Sequence, residues 1–159
     1  MGQIDLQFSS MKDFGSSVIR YFSHGAYSHV DAVLPDGTLL GARSDVCAGV
    51  PAGVQIRPAN YRVFSAVKRV SIPTINDEIS QDFYKFLYSQ IGKPYDAMAI
   101  FSFAVGRNWR DDNAWVCSEL ISRALEVSKY FQHCLVTPPN RQTPDDLLLV
   151  LSALTEISQ

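Results

Sequence analysis

Apolar and polar residues alternate through "SHVDAVL" (28–34), so that Val30, Ala32 and Leu34 share one face of an extended chain. His29, Asp31 and Val33 share the other. "PDG" follows at 35–37, where proline presets one φ and glycine supplies a positive one, and "TLLGAR" returns as the second arm of a hairpin. Two further alternating runs, "GVQIR" (53–57) and "YRVFSAVKRV" (61–70), predict strands. The period then changes. In "NDEISQDFYKFLYSQ", Ile79, Phe83, Phe86 and Leu87 recur at helical spacing, behind Asn76 or Asp77 as cap, and Gly92 with Pro94 ends the run. A second helix is predicted from about Trp115 to Phe131, and a third opens with Thr143 as N-cap and Pro144 at its first position. A short helix or turn is expected around Ser16–Phe22. Strands early and helices late predict a single α+β domain over residues 1–159, a small antiparallel sheet packed with helices.

Composition narrows the function classes. The 159 residues are 47% hydrophobic and 19% charged, enough to build a core without disulfides or metal. A net charge of −2, with lysine and arginine scattered, gives no footprint for nucleic acid. The longest apolar stretches, "AMAIFSFAV" and "LLLVLSAL", fall far short of the ~20 residues of a membrane span, so no integral membrane segment is expected. "MGQIDLQFSSMKD" shows no basic-then-apolar leader, and the placement expected is cytoplasmic, or release by lysis or with a particle. Three cysteines at long spacings suggest neither a disulfide framework nor a zinc ribbon.

The chemistry-bearing candidate is Cys117 in "AWVCSELISRAL", at the front edge of the predicted second helix. There the free N–H groups and the helix dipole favour an anion, so the thiolate is stabilised, and the Ser118 amide can donate to an oxyanion. A thiolate of this kind needs a base, and His29, mid-strand on the more polar face, is the best partner. The alternative is a small core cysteine and an exposed strand histidine. His24, His133, Cys47 and Cys134 have no ligand spacing, so neither a metal nor another cofactor is expected. Glu119 most simply complements the helix dipole, Asp96 closes the loop after Pro94, and Arg43 is either a surface residue or a binder of a substrate carboxylate.

"YSHVDAVLPDGTLLGAR", "IGKPYDA", "WVCSELISRAL" and "TPDDLL", in that order, resemble the circularly permuted branch of NlpC-like papain-fold enzymes, which includes YiiX-like amidases and lecithin:retinol acyltransferase relatives. The resemblance spans roughly Tyr27 to Leu149. It implies a permuted papain-like architecture and a Cys117 nucleophile with His29 as general base, forming a thioester on a peptide or acyl-amide substrate such as a cell-wall peptide. It also implies a role for Tyr95 at the oxyanion or in positioning substrate. A lipid thioesterase or acyltransferase, or an inactive binding domain, would use the same fold. The chain departs from the pattern where relatives carry a polar third member on the strand after the histidine, for Gly41 and Ala42 stand there. Asp31, on the face of His29, is the first substitute, and Asp45 the second.

Overall fold

The computed structural model describes residues 2–11, 25–47, 49–97, 113–131 and 142–157. Five strands, β1 (Gln3–Ser10), β2 (His29–Val33), β3 (Leu39–Arg43), β4 (Gly53–Arg57) and β5 (Ala66–Pro73), form one antiparallel sheet in the order β4-β3-β2-β1-β5. Among the described residues three helices follow: α1 (Asp77–Gln90), α2 (Cys117–Val127) and α3 (Pro144–Ile157). The α+β class is thus as expected.

The N-terminal run, to which no element was assigned from the pattern above, is the strand between β2 and β5. Ile4, Leu6 and Phe8 alternate into the core and are fully buried. Its register against β2 places Ser9 opposite His29 and Gln7 opposite Asp31. The strand expected at 61–70 begins later, at Ala66, because Tyr61 and Phe64 belong to a turn that folds back over the sheet.

The sheet's two faces divide by chemistry. Ile4, Leu6, Phe8, Val30, Ala32, Leu40, Ala42, Val54 and Ile72 join one core with the helices. From α2 come Leu120, Ile121, Ala124 and Leu125, a stripe two turns long with no solvent exposure. Truncating Leu120 to alanine there would cost about 2–5 kcal/mol. α1 is capped by Asn76, whose side chain accepts from the Ile79 amide. Phe83 and Leu87 are its fully buried apolar residues, while Ile79 and Phe86 are only half-buried. The other face carries Gln7, Ser9, His29, Asp31, Arg43, Gln55 and Arg57, and it too is buried. Polar groups out of water must find partners among themselves, and that requirement shapes the site. The expected turn or helix at Ser16–Phe22 lies outside the described residues.

Candidate functional site

α2 begins at Cys117, two residues later than the apolar pattern suggested, so the cysteine occupies the first helical position. Val116 is the N-cap and offers no side-chain hydrogen bond. The first-turn amides are therefore not spent on a cap, and they favour an anion there. The entry to α2 is fixed by the segment containing Tyr95. Tyr95 and Trp115 form a parallel bridge, with the Trp115 amide on the Pro94 carbonyl at 3.0 Å and the Asp96 amide on the Trp115 carbonyl at 3.1 Å. On its other side the same segment is tied to β4, where the Val54 amide donates to the Lys93 carbonyl at 2.9 Å. "GKPYD" is thus a splice between the sheet edge and the cysteine.

His29 opens β2. The β2–β3 ladder consists of Ala32–Leu40 and Val33–Leu39, and just beyond its end the Val30 amide and the His29 ring both hydrogen-bond Cys117. Burial alone would push the thiol up. The charge of the facing imidazole and these two hydrogen bonds outweigh burial and hold Cys117 below its ordinary value. Burial likewise disfavours the imidazolium, but Asp31 and then Cys117 prevail and raise His29. Both shifts favour a thiolate–imidazolium pair.

Asp31 Oδ1 lies 2.9 Å from His29 Nε2, which leaves Nδ1 for the sulfur. The carboxylate is wholly buried, a cost offset first by the Arg57 guanidinium and then by His29, so its pKa lies well below the usual carboxylate range. Arg57 Nη2 donates to the same Oδ1 and lies 2.9 Å from His29 Nε2. Nε2 can donate to Asp31 or accept from Arg57, but one ring nitrogen cannot do both. In the protonated ring the bond to Asp31 prevails. Gly41 explains how the carboxylate fits. A Cβ at Gly41 would stand 2.0 Å from Asp31 Oδ1 and 3.1 Å from its Cγ. The position that lacks a polar side chain is the space that the Asp31 carboxylate fills from the neighbouring strand.

The opening of α3 holds the two halves together. Thr143 caps it as expected, with the Asp146 amide on Thr143 Oγ1 at 3.1 Å, and Asp146 returns the bond, its Oδ2 accepting from the Thr143 amide at 2.9 Å. Asp145 instead accepts from the amides of Ala26 and Tyr27, both at 3.1 Å, on the approach to β2. A Cβ at Gly25 would collide with that carboxylate. One turn earlier, the Gln142 carbonyl accepts from Ser118 Oγ at 2.6 Å, and Gln142 Oε1 accepts from Ser122 Oγ at 2.7 Å. The segment from Gln142 to Asp145 therefore ties the histidine strand to the cysteine helix. Ser118 uses its side chain for this tie, leaving its amide in the open first turn.

The remaining candidates are placed as follows. Tyr95 is half-buried, and burial followed by the charge of Cys117 keeps its phenol well above the ordinary value. Asp45 does not join His29, because its two oxygens are held by Arg43 Nε and Arg62 Nη2, each at 2.6 Å. Arg43 is no surface residue. It is buried, bonded to Asp45 and to Tyr61 Oη at 2.8 Å. Glu119 and Asp96 are buried as well. Cys47 and Cys117 are both free thiols, and burial pushes Cys47 up rather than down. His24, His133 and Cys134 lie outside the described residues. Arg57 was missed in the sequence, where it reads as the last residue of a strand. The signal that could have found it is its two-residue spacing from Gln55, which puts it on the polar face.

No family model matches the chain, and no curated protein does. Among solved structures it is similar to the crystal structure of the metalloprotein yiiX from Escherichia coli O157:H7, with a TM-score of 0.53 and 21% identity. The match covers 82% of this chain and 67% of that one. The two share a fold. Among the described residues no group of three or more His, Cys, Asp or Glu side chains is arranged to hold a metal ion. The donors nearest to one another are already engaged, Asp31 by Arg57 and His29 by Asp31 and Cys117. No described helix is long and apolar enough to cross a membrane.

Proposed function

We propose that this chain is a cysteine hydrolase of the permuted NlpC-like papain type, cleaving an amide in a peptide or acyl-amide substrate. The observation that carries the reading is the continuous hydrogen-bonded line from Cys117 through His29 to Asp31, with the sulfur at an uncapped helix N-terminus. Cys117 Sγ, as thiolate, attacks the acyl carbonyl. The tetrahedral oxyanion faces the Ser118 amide in the first turn of α2, with the Tyr95 phenol, kept protonated, as a second donor. His29 gives the Nδ1 proton to the leaving amine as the C–N bond breaks, which leaves a thioester. It then takes a proton from water, whose oxygen attacks the thioester and releases the carboxylic acid and Cys117. Asp31 holds the ring and favours its charged form. Gly41, the departure that would favour an inactive binding domain, supports activity instead, since it makes room for Asp31. A cell-wall peptide is the substrate class to screen first, with action inside the cell or after release.

The test is iodoacetamide labelling against pH, with peptide mapping and with Cys117→Ala and His29→Ala as controls. Cys117 is expected to label well below the ~8.5 of a free cysteine, and removal of His29 is expected to abolish that low-pH reactivity. A Cys117 that labels only after unfolding would end the enzyme reading.

A further inference from the structure

We propose that Arg57 is a positioning residue of this site: its guanidinium pins the Asp31 carboxylate beside His29 and supplies the second positive charge that lets two anions share a buried pocket with one imidazolium. The assignment rests on the Cys117–His29 reading above and adds a residue from another strand.

With the thiolate formed, Cys117 and Asp31 are negative and His29 and Arg57 positive, so the four balance. Every one of them is buried, and the side chains of Asp31 and Arg57 have no exposure. A net charge sealed from water is costly, and a buried group left without its partner relieves the cost by changing protonation. If Arg57 is removed, the remaining three carry one excess negative charge. The thiolate is the anion with the highest intrinsic proton affinity, and it is the one expected to take a proton.

The surroundings leave this role to Arg57. Arg43, next nearest on β3, is committed to Asp45 and Tyr61. Asp45 is further neutralised by Arg62. Tyr61 and Tyr95 are neutral phenols with raised pKa values. The buried carboxylates Asp96 and Glu119 have partners of their own. Arg57 is built into place rather than merely near. Its Cζ sits 4.9 Å from the Tyr61 ring centroid, Nη1 reaches the Gly41 carbonyl at 3.4 Å, and Nη2 reaches both Asp31 and His29. Nη1 passes over the residue whose missing Cβ admits Asp31, so arginine, glycine and aspartate form one fitted set across β4, β3 and β2.

The experiment is the pH profile of Cys117 alkylation by iodoacetamide in wild type, Arg57→Gln, Arg57→Lys, Asp31→Asn and the Asp31→Asn/Arg57→Gln pair, each checked for fold by circular dichroism. Arg57→Gln is expected to move the inflection up by one unit or more, a tenfold or greater loss of rate on its acid side. Arg57→Lys keeps the charge but not the fork, and is expected to recover at least half of that shift. The double variant removes one charge of each sign, so its inflection is expected to fall back from that of Arg57→Gln. An Arg57→Gln profile that coincides with wild type, in a folded protein, overturns the proposal. If Arg57→Gln does not fold, Asp31→Asn against the double variant decides. The single variant carries excess positive charge and is expected to titrate lower, and an equal or higher inflection overturns the proposal. A wild-type Cys117 that is inert throughout would instead end the nucleophile reading, and so the two failures are distinct.

Discussion

Asp31 and Gly41 act as a pair although neither is informative alone. A carboxylate on the histidine's own strand is two residues away and on the right face, but it must bend back toward the ring, and it can do so only where the adjacent strand offers no side chain. Gly41→Ala inserts a methyl group into space already taken, so the carboxylate has to leave the imidazole. Overpacking of this kind costs about 1–3 kcal/mol. Amide hydrolysis is expected to drop about 10–100-fold, within what general acid–base catalysis supplies, while circular dichroism stays native. Unchanged turnover in Gly41→Ala would mean that Asp31 does not hold the ring. At this scale the sequence was partly legible. Strand alternation put Asp31 with His29, and helix-terminus chemistry singled out Cys117. Arg57 was illegible because a charged residue at a strand end normally faces water, and nothing in "GVQIR" says that the turn around Tyr61 covers it.

Between elements, the α3 entry is the least obvious part of the site. The two acidic residues of "TPDD" differ in task, since Asp146 completes its own helix cap while Asp145 satisfies the Ala26 and Tyr27 amides ahead of β2. Those donors are at most half-buried, so losing their carboxylate costs the net worth of a hydrogen bond, about 0.5–1.5 kcal/mol. Asp145→Ala is expected to lower thermal stability by that amount and to slow Cys117 alkylation, because the approach to His29 loosens. Asp146→Ala should cost about 0.5–2 kcal/mol and leave the alkylation rate at its wild-type value. Equal alkylation rates in the two variants would refute the clamp. The starts of α1 and α3 followed from their caps at Asn76 and Thr143, while α2, expected from about Trp115 to Phe131, runs from Cys117 to Val127. The N-terminal strand was missed although Ile4, Leu6 and Phe8 alternate cleanly, because the interspersed Gln3, Asp5 and Gln7 resemble an ordinary polar leader. Gln7 proves to be buried against Arg69, with Oε1 accepting from its Nε at 3.0 Å.

For the whole molecule, strand order was beyond the sequence. Periodicity finds strands, but nothing local states that the first strand lies between the second and the fifth. The buried charges do give the molecule a legible response to acid. Asp31 has a folded pKa below its ordinary 3.8. It therefore contributes stability that is fully present above that value and is lost as pH falls through the folded pKa. Urea midpoints are expected to decline as pH drops below about 4, and Asp31→Asn should flatten that decline while lowering stability near neutrality. A decline equally steep in Asp31→Asn would assign acid lability to other carboxylates.

The order of these elements along the chain also sets a sequence in time. As the polypeptide leaves the ribosome, His29, Asp31 and Arg57 emerge first, the sulfur emerges later, and the Asp145 tether follows it. Every influence that stabilises the thiolate comes from tertiary neighbours or from the first turn of a docked helix. A nascent or misfolded chain therefore carries an ordinary, protonated cysteine. If Cys117 is the nucleophile proposed above, its reactivity arrives only with folding of these elements, a latency that needs no inhibitory segment to enforce it.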